Sequence, residues 1–176
     1  MDFRELVRTR YSARAYEPTP VDDAALARIL EAVRLAPTAA NRQAFRVVVL
    51  ATEGREDELR RIYDRAWFIQ APLVLAVCAV PAEGWVRAVD SWSAAGVDAT
   101  IAMTHLVLAA ADEGLGTCWV AAFDPTAARE VLGLPEEVVP WAFTPLGHPA
   151  DSASPKERRP LAELVLYQGT SLGRSA

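Results

Sequence analysis

Apolar residues fall along this chain in two kinds of run, some at helical spacing and some continuous. After Asp22 or Asp23, either of which can cap a helix, Leu26, Ile29, Leu30, Val33 and Leu35 roughly follow a helical period, and Pro37 ends the run. Phe45 to Ala51 and Pro72 to Val80 are continuous apolar segments rich in β-branched residues, which predicts two strands of a sheet covered on both faces. Between them, Glu53 to Arg65 reads as a charged amphipathic helix. Ala94 to Glu113 is rich in Ala, Leu, Ile and Met with few charges, so it predicts a long, almost fully buried helix closed by Gly114. Residues 2 to 9 read as a short helix, Thr117 to Phe123 as a third strand, and Pro125 to Leu132 as a helix capped by Asp124. Val138 to Leu146, carrying Trp141 and Phe143, predicts another strand, broken by Gly147 and Pro149. Asp151 to Pro160 is a polar loop. Leu161 to Leu172 has apolar residues that suit either a partner subunit or a terminal element on its own domain.

These elements amount to one domain over residues 1 to 176, since 52% hydrophobic content supports one sizeable core and no linker of boundary length interrupts the chain. A net charge of -5, with no basic stripe, argues against nucleic acid as a partner. The N-terminus lacks a basic region followed by an apolar one, and the longest apolar run, Ala71 to Pro81, is too short to span a bilayer. The cytoplasm is the expected compartment. Cys78 and Cys118 lie far apart outside any CxxC spacing, and His105 and His148 lack partners at metal-ligand spacing, so no metal site is expected.

Against this acidic background, cations and amides cluster at three places: Arg10-Tyr11-Ser12-Ala13-Arg14, Asn41-Arg42-Gln43 and Lys156-Glu157-Arg158-Arg159. Guanidinium forks, an ammonium and a hydroxyl suit the oxygens of a phosphate monoester. Gly114-Leu115-Gly116-Thr117 follows a helix, precedes a strand and has Trp119 where a third glycine would stand, so it is no dinucleotide fingerprint. The nucleotide-phosphate loop, the serine-nucleophile elbow and the HExxH zinc motif are all missing, so the chemistry would come from a cofactor.

The blocks Arg10 to Tyr16, Ala36 to Gln43, Gly114 to Trp119 and Pro155 to Arg158, in that order, resemble the signature of the nitroreductase family of FMN enzymes. The resemblance implies an α+β fold, with a mixed, largely antiparallel central sheet flanked by helices, in a homodimer with FMN at the interface and the central helix at that interface. It implies that Arg10, Tyr11, Ser12, Arg14, Lys156 and Arg158 bind the phosphate and ribityl chain. Thr38, Ala39 and Asn41 would reach the ring edge of the partner's flavin, with Gln43 holding the loop. Trp119, Val120 and Ala121 would run past the reactive N5, although a residue of the Trp119 type is more often core than cofactor contact. No catalytic side chain is required: NADH or NADPH would reduce the flavin and a nitroaromatic, quinone or similar small-molecule acceptor would reoxidise it in ping-pong fashion.

Two departures from the family pattern bear on function. A lysine near the flavin's pyrimidine end in larger members is replaced by the stretch Asp64 to Phe68, where Arg65 is the candidate substitute. The helical hairpin that forms much of their substrate lid is reduced to Ala82 to Ser93, which predicts a more open site or one lined by Trp85 and Trp92. This leaves two alternatives: a narrower flavoenzyme (enone reduction, dehalogenation, azoline oxidation) or an FMN-binding or storage protein with low turnover.

Overall fold

The structure, a computed structural model, describes residues 1–166. Its element order is α1 (Phe3–Thr9), α2 (Asp23–Arg34), β1 (Phe45–Ala51), α3 (Glu56–Ile62), β2 (Leu73–Ala79), β3 (Val86–Arg87), β4 (Trp92–Ser93), α4 (Ala95–Asp112), β5 (Gly116–Thr117), α5 (Pro125–Leu132), β6 (Val139–Gly147) and α6 (Leu161–Leu164). Four strands form one sheet in the order β1-β2-β6-β5, and every ladder in it is antiparallel. The only parallel contact among the described residues is an isolated bridge between Ser12 and Thr117. The fold is the α+β arrangement that was expected, with helices on both faces of the sheet.

The continuous apolar run of β2 has a physical reason. Leu75, Val77 and Ala79 pack with Ile29 and Val33 of α2 and Met103 and Leu106 of α4. The alternate residues Val74, Ala76 and Cys78 pack on the opposite face with Leu59 of α3, Phe68 and Phe143. A strand between two helical layers must be apolar at every position rather than at every second one. The long helix is buried for the same reason: Ala99, Ala102, Met103 and Leu106 are all fully inaccessible. Truncating Leu106 to Ala there would cost about 2–5 kcal/mol, because a packed core collapses only partly around the gap.

Caps form where the sequence placed them. Asp22 and Asp124 accept backbone N–H groups at the starts of α2 and α5, and Gly114 takes the left-handed conformation, φ 75°, just beyond α4. Four expectations need correction. β1, expected to be covered on both faces, is the edge strand of the sheet and buries only Leu50 of its seven residues, with Arg46, Val49 and Ala51 exposed. The charged helix is shorter than its polar run, Glu56–Ile62. The third strand is only Gly116–Thr117, because the Cys118 N–H donates to Thr144 Oγ1 (3.0 Å) instead of continuing the ladder, and pairing resumes only at the Val120–Phe143 bridge. Between β2 and α4, the short connection contains a hairpin, β3 and β4, whose turn is braced by an Arg87–Asp90 ion pair (2.7 Å) and by Ser91 at φ 58°. Of the C-terminal stretch, Leu161, Leu164 and Leu166 are exposed; the part from 167 to 172 lies outside the described residues.

Candidate functional site

The cationic segments, distant in sequence, meet at the C-terminal end of α4. Segment 10–16 runs beside β5, with the Ala13 N–H donating to the Thr117 carbonyl (2.9 Å). That approach requires Gly116: a Cβ there would stand 2.9 Å from Ala13 Cβ and 3.0 Å from Pro149 Cβ. The two glycines of the false dinucleotide motif thus have separate structural duties, Gly114 in the helix stop and Gly116 in close packing.

Loop 151–158 closes the cluster from the other side. Asp151 accepts the Tyr11 hydroxyl (3.0 Å) and the Arg14 N–H (2.8 Å), while the Tyr11 hydroxyl also lies 2.8 Å from the Asp151 carbonyl. Lys156 Nζ donates to the carbonyls of Val7 and Arg8 at the end of α1. Its ammonium titrates below the ordinary lysine value, first through desolvation and then through repulsion from Arg10 and Arg158. The Lys156 ammonium thus feels both guanidiniums, a clustering of positive charge that would suit a phosphate dianion. Arg14 lies over the Trp67 ring, 5.9 Å from its centroid, which brings the 64–68 stretch to the same end of the molecule. Arg65 in that stretch is exposed and makes no ion pair among the described residues.

Ser12 lies beside the buried Cys118, whose thiol is pushed up mainly by burial and partly relieved by Arg14 and a hydrogen bond from Ser12. Directly after it, Val120 is fixed by paired backbone bonds to Phe143 (2.8 and 2.9 Å), while Trp119 and Ala121 are exposed. Trp119, a core candidate by residue type, thus lies on the surface at 37% exposure. Residues 10–14, 117–121 and 151–158 form one continuous region.

Thr38, Ala39 and Asn41 are elsewhere. The Ala39 N–H donates to Asp98 Oδ1 (2.9 Å) in the first turns of α4, whereas the N-terminus of the chain pairs with Asp112 at the helix's far end (3.0 Å). At 1.5 Å per residue, the helical rise from Asp98 to Asp112 is about 21 Å. The loop is backbone-strained: Ala40, Asn41 and Gln43 have φ of 51°, 56° and 54°. Each such non-glycine residue costs roughly 1–3 kcal/mol, and strain of this kind clusters at ligand clamps. Thr38 Oγ1 accepts the Gln43 N–H (3.0 Å) and Gln43 Nε2 donates to Asn41 Oδ1 (3.3 Å), so Gln43 holds the loop and orients the Asn41 amide.

Beside the same end of α4 is a cleft of about 350 Å³ lined by Trp92, Gly96, Thr100 and Trp141. Trp141 donates from Nε1 to Thr100 Oγ1 (2.9 Å) and lies flush on Gly96, where a Cβ would be 2.4 Å from its ring. Arg87 lies 4.9 Å from the Trp92 ring centroid. Trp92 lines this cleft and Trp85 does not. Asp98, Asp151 and Trp141 escaped sequence reasoning, because a single acid or aromatic in a helix, loop or strand carries no motif.

The structure thus sets a cationic end, of a chemistry that suits a phosphate ester, and an amide-bearing, strained loop on one α+β core. The chain belongs to the Nitroreductase family, whose model matches residues 7–148. It is 29% identical to a protein from Thermus thermophilus named NADH dehydrogenase, over 96% of this chain and 97% of that one. It is 32% identical to FMN reductase [NAD(P)H] from Bacillus subtilis, over 93% of this chain and 72% of the relative. A nitroreductase family protein from Clostridium difficile 630 superposes with a TM-score of 0.86 at 32% identity, covering 97% of this chain and 100% of the other.

Proposed function

We propose that this protein is an FMN-dependent NAD(P)H oxidoreductase that reduces nitroaromatic, quinone or similar small acceptors. The observation that carries this reading is the meeting of segments 10–14 and 151–158, tied by Tyr11 and Arg14 to Asp151 and by Lys156 to the end of α1, which gathers Arg10, Lys156 and Arg158 into a cluster of positive charge that fits a dianionic phosphate. The family membership and the flavin-dependent and pyridine-nucleotide-dependent names of the relatives support the same cofactor and reductant.

In this reading Arg10, Ser12, Arg14, Lys156 and Arg158 hold the phosphate and ribityl chain, and Tyr11 bonds Asp151 to set the loop around them. The segment of exposed residues Trp119 and Ala121, fixed in place by the backbone bonds of Val120, borders the ring. Thr38, Ala39 and Asn41 approach the ring edge from the other end of α4, a separation of about 21 Å that favours a site shared between two chains. We therefore propose a homodimer with one set of residues from each chain at every flavin. The bound flavin would supply the redox chemistry between NAD(P)H and the acceptor. The chain's residues bind and orient it, and none acts as an acid or base. Among the described residues no helix is long and apolar enough to cross a membrane, which accords with the cytoplasmic location we propose.

The test is the visible spectrum of purified protein reconstituted with FMN, followed by anaerobic NADH or NADPH. A flavin band that bleaches and returns on adding a quinone or nitroaromatic supports the reductase. A bound flavin that stays oxidised favours a storage protein, and failure to bind FMN refutes the reading.

A further inference from the structure

The 38–43 loop keeps a strained conformation in partial exposure, so something must determine it. Most of its hydrogen bonds are internal: Asn41 N–H to the Thr38 carbonyl (3.1 Å), Arg42 N–H to the Ala39 carbonyl (3.1 Å), Gln43 N–H to Thr38 Oγ1 (3.0 Å) and Gln43 Nε2 to Asn41. Such bonds define the loop's shape but not its position on the molecule. Beyond the Gln43 carbonyl, which accepts the N–H of Phe45 two residues on at the start of β1 (2.8 Å), the only bond from the loop to another element among the described residues is that of the Ala39 N–H, donating to Asp98 Oδ1 at 2.9 Å across 59 positions of sequence.

Asp98 is an unusual residue for that place. It is fully inaccessible, on the face of α4 that otherwise buries Ala95, Ala99, Ala102 and Met103. Oδ2 has no hydrogen-bond partner among the described residues, so the carboxylate is only half satisfied. It does not cap α4, since its own N–H makes the regular helical bond to the Ala94 carbonyl (2.9 Å). The positive end of the helix favours a negative charge there, but that benefit is open to an exposed acid as well and gives no reason for burial. The one partner that the buried carboxylate has is the loop.

We propose that Asp98 is a positioning residue, one that holds the Thr38–Asn41 segment where it can meet the flavin ring. This rests on the flavin reading above. By fixing Ala39 to the rigid central helix, the carboxylate holds the already shaped loop in its binding position before any ligand arrives, so that ordering is not charged against binding. The segment that carries it is the ring-contacting one, so its loss should weaken affinity for the ring and leave the phosphate contribution unaltered.

The experiment compares wild type, Asp98→Ala and Asp98→Asn in two measurements. Hydrogen exchange of the Ala39 amide, without flavin, should show protection in wild type and in Asp98→Asn, which keeps a side-chain oxygen at the same place, and loss of protection in Asp98→Ala. Titration with FMN and with riboflavin, which lacks the phosphate, should show both weakened by a similar factor of about tenfold in Asp98→Ala and largely restored in Asp98→Asn. Should Asp98→Ala fail to fold, Ala39→Pro removes the same bond from the loop side. Proline fits the first position of a turn that follows extended Thr38 (φ -134°, ψ 157°), and the same losses are expected. Wild-type protection in Asp98→Ala, or wild-type affinity for both flavins in the variants, overturns the proposal. Wild-type protein that binds no flavin but shows Asp98-dependent protection at Ala39 refutes the flavin reading while upholding the anchor.

Discussion

The two ends of α4 work by different physics. At the C-terminal end the arrangement is electrostatic: Arg10 and the Lys156–Arg158 segment come from remote parts of the chain, and both guanidiniums repel the Lys156 ammonium, a tension that an anion would relieve. At the N-terminal end it is conformational: a short contiguous loop holds three non-glycine residues in the left-handed region, tied to the core by one carboxylate. The first end can tolerate adjustment in exact atom placement because charges act over distance, whereas the second depends on a fixed backbone. Substitutions at the two ends should therefore fail in different ways.

The largest expected effect is at the charged end. Replacing Arg10 or Arg158 by Ala removes a charge-assisted contact worth roughly 1.5–3 kcal/mol, so FMN affinity measured by fluorescence quenching should fall by about tenfold to a hundredfold. Riboflavin affinity, which lacks the phosphate contribution, should fall far less. An equal loss for both flavins would show that these arginines act on the ring or on the fold, and the contrast between the two ends would collapse.

A smaller effect separates packing at the two ends. Gly116→Ala forces a methyl group between Ala13 and Pro149, side chains on tightly held backbone, and should lower stability by about 1–3 kcal/mol in denaturant melts. Gly96→Ala meets a ring at the surface, which can swing outward. It should cost less stability and instead release Trp141 from Thr100, seen as a red shift in tryptophan emission. A larger stability loss in Gly96→Ala would show that the N-terminal end is the more tightly packed of the two.

The smallest effect is in pH dependence. Lys156 has a lowered pKa in the folded chain, so between that value and the ordinary lysine value the unfolded chain binds more protons, and stability of the ligand-free protein rises with pH. FMN binding should have the opposite sign, weakening as Lys156 loses its proton on the alkaline side. Lys156→Met should flatten both trends. A binding curve that keeps its alkaline limb in that variant would assign the titration to another group.

How much of this was legible in the sequence follows from the same contrast. β2, β6 and α4 are read easily because continuous or near-continuous apolar runs leave burial on both sides as the only stable outcome, whereas β1, with a similar composition, is the sheet's edge strand and buries only Leu50. The short β5 was overextended, since Cys118 looks like strand sequence but gives its N–H to a threonine side chain contributed by β6. The charged end was visible as clusters of Arg and Lys whose chemistry is independent of exact geometry. The anchoring of the loop was not, because the role of Asp98 exists only once a helix has brought it to Ala39. The same is true of Asp151, which looks like one more polar loop residue until Tyr11 and Arg14 converge on it.

The length of α4 carries a genetic consequence. If each flavin takes its cations from one chain and its loop from the other, a chain defective only at Arg10 and a chain defective only at Asn41 should complement each other. In a mixed dimer one site would inherit both lesions and the other neither, so co-expression of two inactive alleles would restore up to half the sites in every mixed pair. Two alleles damaged at the same end would restore none.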